Sequence, residues 1–303
     1  MSEFLERIAS ELRVPGDLLE TAVRHARGDA KQLRIPKRSG GYRTVWQPSQ
    51  ELKLVHYWLL QHVFEQVPLH PAAVAYRRGL NTLENAERHL YGRFFLKVDF
   101  RDFFPSLRPD DVLRPLRVLL GSDSPVALDA DFENVFRQAC FQRGDRMAQG
   151  YPTSPMLSNI AMVFFDRFVT DTLVGLPQRF GPHAVYTRYA DDIVISTHSE
   201  AQVREALSLI EEALTREDTP RLTMHWDKLR LTSRRSGNVL VTGLRITQDG
   251  KLQLPRKYRD VIELLMKLRK KGNLDLEDAA RLTGHLNYAR LIAPAWVARL
   301  EAG

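Results

Sequence analysis

Two adjacent carboxylates, Asp191 and Asp192, follow Tyr189-Ala190 between apolar runs, Val185-Tyr186 on one side and Ile193-Val194-Ile195 on the other. Strand-like segments flanking an Asp pair predict a hairpin with the pair at its turn. Like charges so placed repel, and a cation bound there removes that cost. The ordinary alternative is a solvated turn, where Asp is common. A third carboxylate, Asp99, ends the run Phe94-Phe95-Leu96-Lys97-Val98. A charge ending a buried strand needs solvent, a partner or a metal. Gathered at one sheet edge, the three offer hard oxygen ligands suited to magnesium. Two such ions about 4 Å apart can activate a hydroxyl and stabilise a leaving pyrophosphate. That is phosphoryl transfer by positioning and charge neutralisation.

The elements that must position these groups follow from the rest of the chain. Its 303 residues suffice for one large domain or two to three subdomains. Lys and Arg (44) exceed Asp and Glu (37) by 7, a bias that suits a polyanionic partner. The single cysteine, Cys140, excludes an intrachain disulfide, and no Cys pair or tight His cluster offers a zinc site. The N-terminus lacks the apolar region of a signal peptide, and no apolar run approaches a membrane span. A cytoplasmic protein without a membrane partner is expected.

Periodicity and breakers predict helices over 2–13 and 17–28, a hairpin over 33–47 with its turn at Ser39-Gly40-Gly41, and a helix from Ser49 to about Gln66. A short helix is expected over 82–91, a buried strand over 94–100, and helices over 110–120 and 126–140. One long apolar helix is expected over 154–175, a hairpin over 184–197 and a helix over 200–216. Strands follow over 221–232 and 238–246, with helices after Pro255.

With these elements set out, the acidic motifs resemble the palm of reverse transcriptases. KVDFRDFFPSL (97–107) is similar to the first palm motif, QGYPTSPMLSNI (149–160) to the second, and YADD (189–192) to the third, in the family's order. The resemblance covers about residues 30–300. It implies an α+β right-hand polymerase fold with fingers, an antiparallel-sheet palm and a helical thumb. N-terminal helices and fingers are expected over 1–95, the palm over 96–250 with a fingers insertion at about 110–150, and the thumb over 251–303. It further implies RNA-directed DNA polymerisation with two Mg2+ ions, Mn2+ being a possible substitute. Asp99, Asp191 and Asp192 match the metal ligands, joined by the backbone carbonyl of Phe100. Phe104 matches an aromatic steric gate whose ring collides with a ribose 2′-hydroxyl, leaving Phe103 to the core. Gln149 and Gly150 match residues that contact the incoming nucleotide, and Asn159 lies on the helix behind them. Lys228 matches a lysine that assists pyrophosphate protonation, with a solvated strand lysine as the alternative. Lys37, Arg38 and Arg43 lie on a hairpin that resembles the one gripping the triphosphate.

Two further strings, Asn85-Ala86-Glu87-Arg88-His89 and Val241-Thr242-Gly243, resemble elements of bacterial retron reverse transcriptases. In that family they lie near the recognition of a noncoding RNA, so Asn85, His89, Val241, Thr242 and Gly243 are expected to bind RNA. Lys267 and Lys270, on a basic helix of the thumb, are expected to track a phosphate backbone. The implied partners are a structured noncoding RNA that is both template and primer, dNTPs, the DNA product and a separate effector protein. The implied product is a short DNA linked to that RNA (msDNA), in antiphage defence. One departure stands out: Ala75-Tyr76 occupies a place where relatives usually carry Gly-Phe. The alternatives are another bacterial reverse transcriptase (group II intron-like, CRISPR-associated or abortive-infection type) and a catalytically inactive RNA-binding scaffold.

Overall fold

The computed structural model describes residues 2–37, 40–237 and 239–302. Arg38 and Ser39, in the turn of the basic hairpin, lie outside the described residues. The central sheet is antiparallel, with strands in the order Val185–Tyr189, Asp192–Thr197, Phe94–Asp99 and Arg230–Ser233. Its middle strands read as continuous apolar runs because both faces are covered. Leu96, Val98, Ile193 and Ile195 enter a large core, while Phe95 and Val194 point the other way into a second one.

The large core also holds the helices Glu3–Leu12, Gly16–Arg24, Gln50–His62, Pro109–Leu120 and Ala130–Cys140. Glu200–Thr215 covers the sheet, its start fixed by a reciprocal cap in which Gln202 N donates to Ser199 Oγ and Ser199 N donates to Gln202 Oε1. The second core joins a small sheet (Val239–Val241, Leu244–Ile246, Leu252–Gln253) to the helices Arg256–Lys270, Leu276–Ile292 and Pro294–Ala302. Among the described residues the strands Lys31–Pro36 and Tyr42–Gln47 pair only with each other, and most of their residues are exposed. No helix among the described residues is long and apolar enough to cross a membrane.

Several expected elements differ. The helix expected over 154–175 is two, Ser154–Ala161 and Val163–Gly175, with the break at Met162 (φ −91°, ψ 0°). The strand expected over 221–232 is confined to Arg230–Ser233. Upstream of it the chain crosses the end of the Phe94–Asp99 strand, makes one bridge from Met224 to Phe100, and turns in a 3₁₀ segment, Trp226–Lys228. The helix expected over 82–91 ends at Glu87. A two-residue hairpin, Phe141–Gln142 with Arg146–Met147, is too short for any periodicity to announce.

Candidate active site

Register brings the carboxylates together. Asp99 pairs directly with Asp192 across antiparallel strands, and Tyr189 pairs with Asp192 to close a two-residue turn. Ala190 in that turn has φ +59°, a region few non-glycine residues enter. Asp191 follows it. Burial, then the charges of Asp192 and Asp99, push the Asp191 carboxyl up to about 6. Burial also raises Asp192, with Lys97 acting against the shift and Asp99 adding to it. The edge strand Arg230–Ser233 contributes no acid, but the turn before it delivers Lys228, whose Nζ lies 3.1 Å from both carboxylate oxygens of Asp99. His225 N donates to the Asp99 carbonyl at 2.7 Å, which anchors that turn. Among the described residues no three acidic, imidazole or thiol side chains form a ready-made metal cage. The donor chemistry nevertheless fits a divalent cation: clustered hard oxygens carry repulsion that the Lys228 ammonium on Asp99 relieves only in part at Asp191.

Directly behind the turn lies an ion pair with no exposure. Arg188 Nε and Nη2 donate to the two oxygens of Asp166 at 2.8 and 2.7 Å. Tyr186 Oη donates to Asp166 Oδ1 at 2.6 Å. Arg188 Nη1 reaches Asn159 Oδ1 and the Ala190 carbonyl, both at 3.2 Å. Asn159 Nδ2 in turn donates to the Ala75 carbonyl at 2.8 Å. One buried cation therefore holds the left-handed turn residue and, through Asn159, the segment before Tyr76. Asp166 lies in the first turn of Val163–Gly175, the helix that packs on the Val185–Tyr189 strand. Sequence reading missed both charges; an Asp inside Val163-Phe164-Phe165-Asp166 and an Arg inside an apolar strand were the available signals.

The two phenylalanines that follow Asp99 and Phe100 differ in burial. Phe103 is buried and stacks on Phe100 (centroids 6.1 Å, 16°). Phe104 is half-buried, edge-on to Phe103 at 5.5 Å and tilted against Tyr76 at 6.4 Å. Gln149 is half-buried and lines a cavity of about 500 Å³ with Arg27, Trp46, Arg143 and Arg146. Its carbonyl accepts from Trp46 N at 2.7 Å, which fastens the exposed hairpin to the body. Gly150 has φ +105°, and a Cβ there would lie 2.5 Å from Val45 Cγ1 and 2.6 Å from the Trp46 carbonyl. The close approach that requires glycine is thus to the hairpin strand.

The chain matches the family model described as reverse transcriptase (RNA-dependent DNA polymerase) over residues 35–252. It is 31% identical over 274 residues to the retron Ec73 reverse transcriptase of Escherichia coli, covering 89% of this chain and 85% of that one. This chain belongs to the retron reverse transcriptase family. The retron Ec83 reverse transcriptase of E. coli is 29% identical with the same coverages, and the retron Mx162 reverse transcriptase of Myxococcus xanthus is 33% identical over 86% of this chain and 57% of its own. Among solved structures, telomerase of Candida tropicalis with a fragment of telomeric RNA aligns with a TM-score of 0.55 at 12% identity, over 89% of this chain. Telomerase of Candida albicans with such a fragment aligns at 0.54 and 12%, over 99% of this chain. The chain spans 54% and 59% of those telomerase chains, and this likeness concerns the fold alone.

The two retron-like strings of this reverse transcriptase meet each other. Thr242 Oγ1 donates to the Thr82 carbonyl at 2.9 Å, and Asn85 Nδ2 approaches Thr242 Oγ1 at 3.5 Å. Asn85, His89 and Val241 are fully buried, so the RNA contacts expected of their side chains are not available in this structure. His89 instead bonds Ser196 Oγ (2.8 Å) and Thr187 Oγ1 (2.7 Å), hydroxyls on the two strands that carry the Asp pair. Burial lowers its pKa to about 3, so it is neutral, with one ring nitrogen donating and the other accepting. Thr242 is half-buried at φ +44°, and Gly243 is exposed at φ +83°. Lys267 and Lys270 are exposed on the helix whose Ile262, Leu265 and Met266 are buried. Lys37 and Arg43 are exposed on the free hairpin, away from any ion pair among the described residues.

Proposed function

We propose that this retron reverse transcriptase copies a structured noncoding RNA into a short DNA that stays linked to it, by two-metal-ion nucleotidyl transfer. The observation that carries the catalytic part is Asp99 facing Asp192 in register, with Asp191 held in a repulsive, partly buried place beside them. Asp99, Asp191 and Asp192, with the Phe100 carbonyl, would hold two Mg2+ ions, or Mn2+ in their place. Bound there, such ions supply Lewis acidity and neutralise charge on the triphosphate. The chain's own groups do the rest. Phe104 stands at the sugar and disfavours a 2′-hydroxyl, while Gln149 and the neighbouring backbone of Gly150 contact the nucleotide. Lys37 and Arg43, exposed on the hairpin that the Trp46–Gln149 bond fastens to the body, grip the triphosphate. Lys228, beside Asp99, would assist protonation of the leaving pyrophosphate.

The fold supports fingers over 1–95 with the 110–150 insertion, a palm over 96–250 and a thumb over 251–303. In that arrangement Lys267 and Lys270 follow the template–primer backbone, and exposed Gly243 is the part of its string open to RNA. The family of the relatives supports an RNA partner for this chain; a separate effector acting with the product in antiphage defence completes the proposal. The experiment is to purify the protein with the nucleic acid made from its own locus, treat with RNase and then with a 2′–5′ debranching enzyme. A discrete single-stranded DNA that shifts on debranching, and is missing from an Asp191→Asn, Asp192→Asn double variant, is expected. Unbranched DNA would retain the polymerase and overturn the linked product. No DNA in either preparation, with no extension of a supplied primer, would favour the RNA-binding scaffold.

A further inference from the structure

Tyr76 combines three observations that the roles above leave unused. It is a bulky aromatic with φ +61°, a backbone region that disfavours side chains of its kind. It is 48% exposed, so core packing does not hold it there. Its ring lies 6.4 Å from that of Phe104, tilted by 56°.

The strained backbone is over-determined from beneath. Val74 N donates to the Arg188 carbonyl at 2.9 Å, and Arg188 N donates to the Ala72 carbonyl at 2.8 Å. Asn159 Nδ2 holds the Ala75 carbonyl at 2.8 Å. Arg77 Nη1 closes the far side on the carbonyls of His70 (3.0 Å) and Ala73 (3.2 Å). Five hydrogen bonds thus fix a segment whose product is one exposed ring. Phe104 is backed by Phe103 at 5.5 Å, so its ring cannot retreat without disturbing the core. Asp191 is near enough that its charge, after burial, raises the Tyr76 phenol above its usual range, which keeps the hydroxyl protonated. A rigid two-ring surface beside the carboxylates suits an apolar sugar face and a base edge, and the phenol adds one hydrogen-bonding group.

We propose that Tyr76 is a specificity-determining residue of the insertion pocket, forming with Phe104 a two-ring wall that touches the nucleotide being added. This deepens the reading of Phe104 as the sugar-side ring and rests on that reading.

The test is single-nucleotide insertion on a fixed primer–template, with kcat and KM measured for a dNTP and the matching rNTP. Tyr76→Asn keeps a residue that tolerates left-handed backbone and removes the ring. It is expected to raise the dNTP KM at least tenfold, leave kcat and primer–template affinity within threefold, and lower dNTP-over-rNTP selectivity at least fivefold. Tyr76→Phe, which keeps the ring, is expected to stay within threefold of wild type. Phe104→Ala is the control on the underlying reading: unchanged selectivity there would sink the gate role of Phe104, while the Tyr76 KM still decides direct contact. A Tyr76→Asn KM within twofold of wild type would overturn the proposal. So would joint losses of kcat, primer–template affinity and melting temperature, which would make Tyr76 merely structural.

Discussion

Two sets of charged and polar groups lie on opposite sides of one hairpin turn, and they are built on opposite principles. At the edge, Asp99, Asp191 and Asp192 face one another with only Lys228 and Lys97 to offset them, and Asp191 is raised to about 6. Behind the turn, Arg188 and Asp166 are equally charged and fully buried, yet each is met by two or more partners. His89 is likewise buried and satisfied at both nitrogens. Frustrated charge at an edge marks a place for a ligand, whereas satisfied charge in the interior marks a scaffold. Both kinds occur within a few residues of each other in the motifs.

The contrast breaks down most visibly if the edge proves structural. Asp191→Asn is expected to lower primer extension at least a thousandfold, about 4 kcal/mol of transition-state stabilisation. The same change removes a repelling charge, so the melting temperature should hold or rise. Arg188→Met should do the reverse to the fold, because it strands Asp166 in the core. A loss of about 3–5 kcal/mol in urea unfolding is expected, and Arg188→Met with Asp166→Leu should recover part of it. Equal stability of the single variant would remove the network from the scaffold.

The interior histidines sharpen the comparison through pH. Burial lowers His89 to about 3 and His56 to about 4, from 6.5. Between those values and 6.5 the unfolded chain binds the proton and the folded chain does not. Stability is therefore complete above about 6.5 and falls as pH drops. At pH 5 each histidine should have removed about 2 kcal/mol. Unfolding titrations of His89→Gln should show the shallower slope of one missing proton. A smaller effect is expected from Thr242→Ala, which deletes the bond to the Thr82 carbonyl and should cost about 1 kcal/mol.

The same division explains what the sequence could tell. The apolar strands and the Asp pair are local patterns, and the antiparallel hairpin over 184–197 follows from them. The direct pairing of Asp99 with Asp192 joins positions 93 residues apart and depends on register, which spacing alone cannot set. The motif resemblance supplied that step. The burial of His89 and Asn85 was not legible because a motif says that a residue type matters and is silent on whether it faces solvent or core. The turn at Trp226–Lys228 was hidden for a different reason: its residues alternate like a strand, but the neighbour they meet is a strand end. Arg188 and Asp166 carried no signal beyond charge in apolar runs, since their partners lie on separate elements.

The most direct measurement is magnesium-dependent extension of a DNA primer on an RNA template by Asp192→Asn, with thermal unfolding followed on the same preparation. Extension reduced at least a thousandfold at an unchanged or higher melting temperature is the predicted result. Extension within tenfold of wild type, or a loss that tracks unfolding, would contradict the assignment of the carboxylate edge as the catalytic centre.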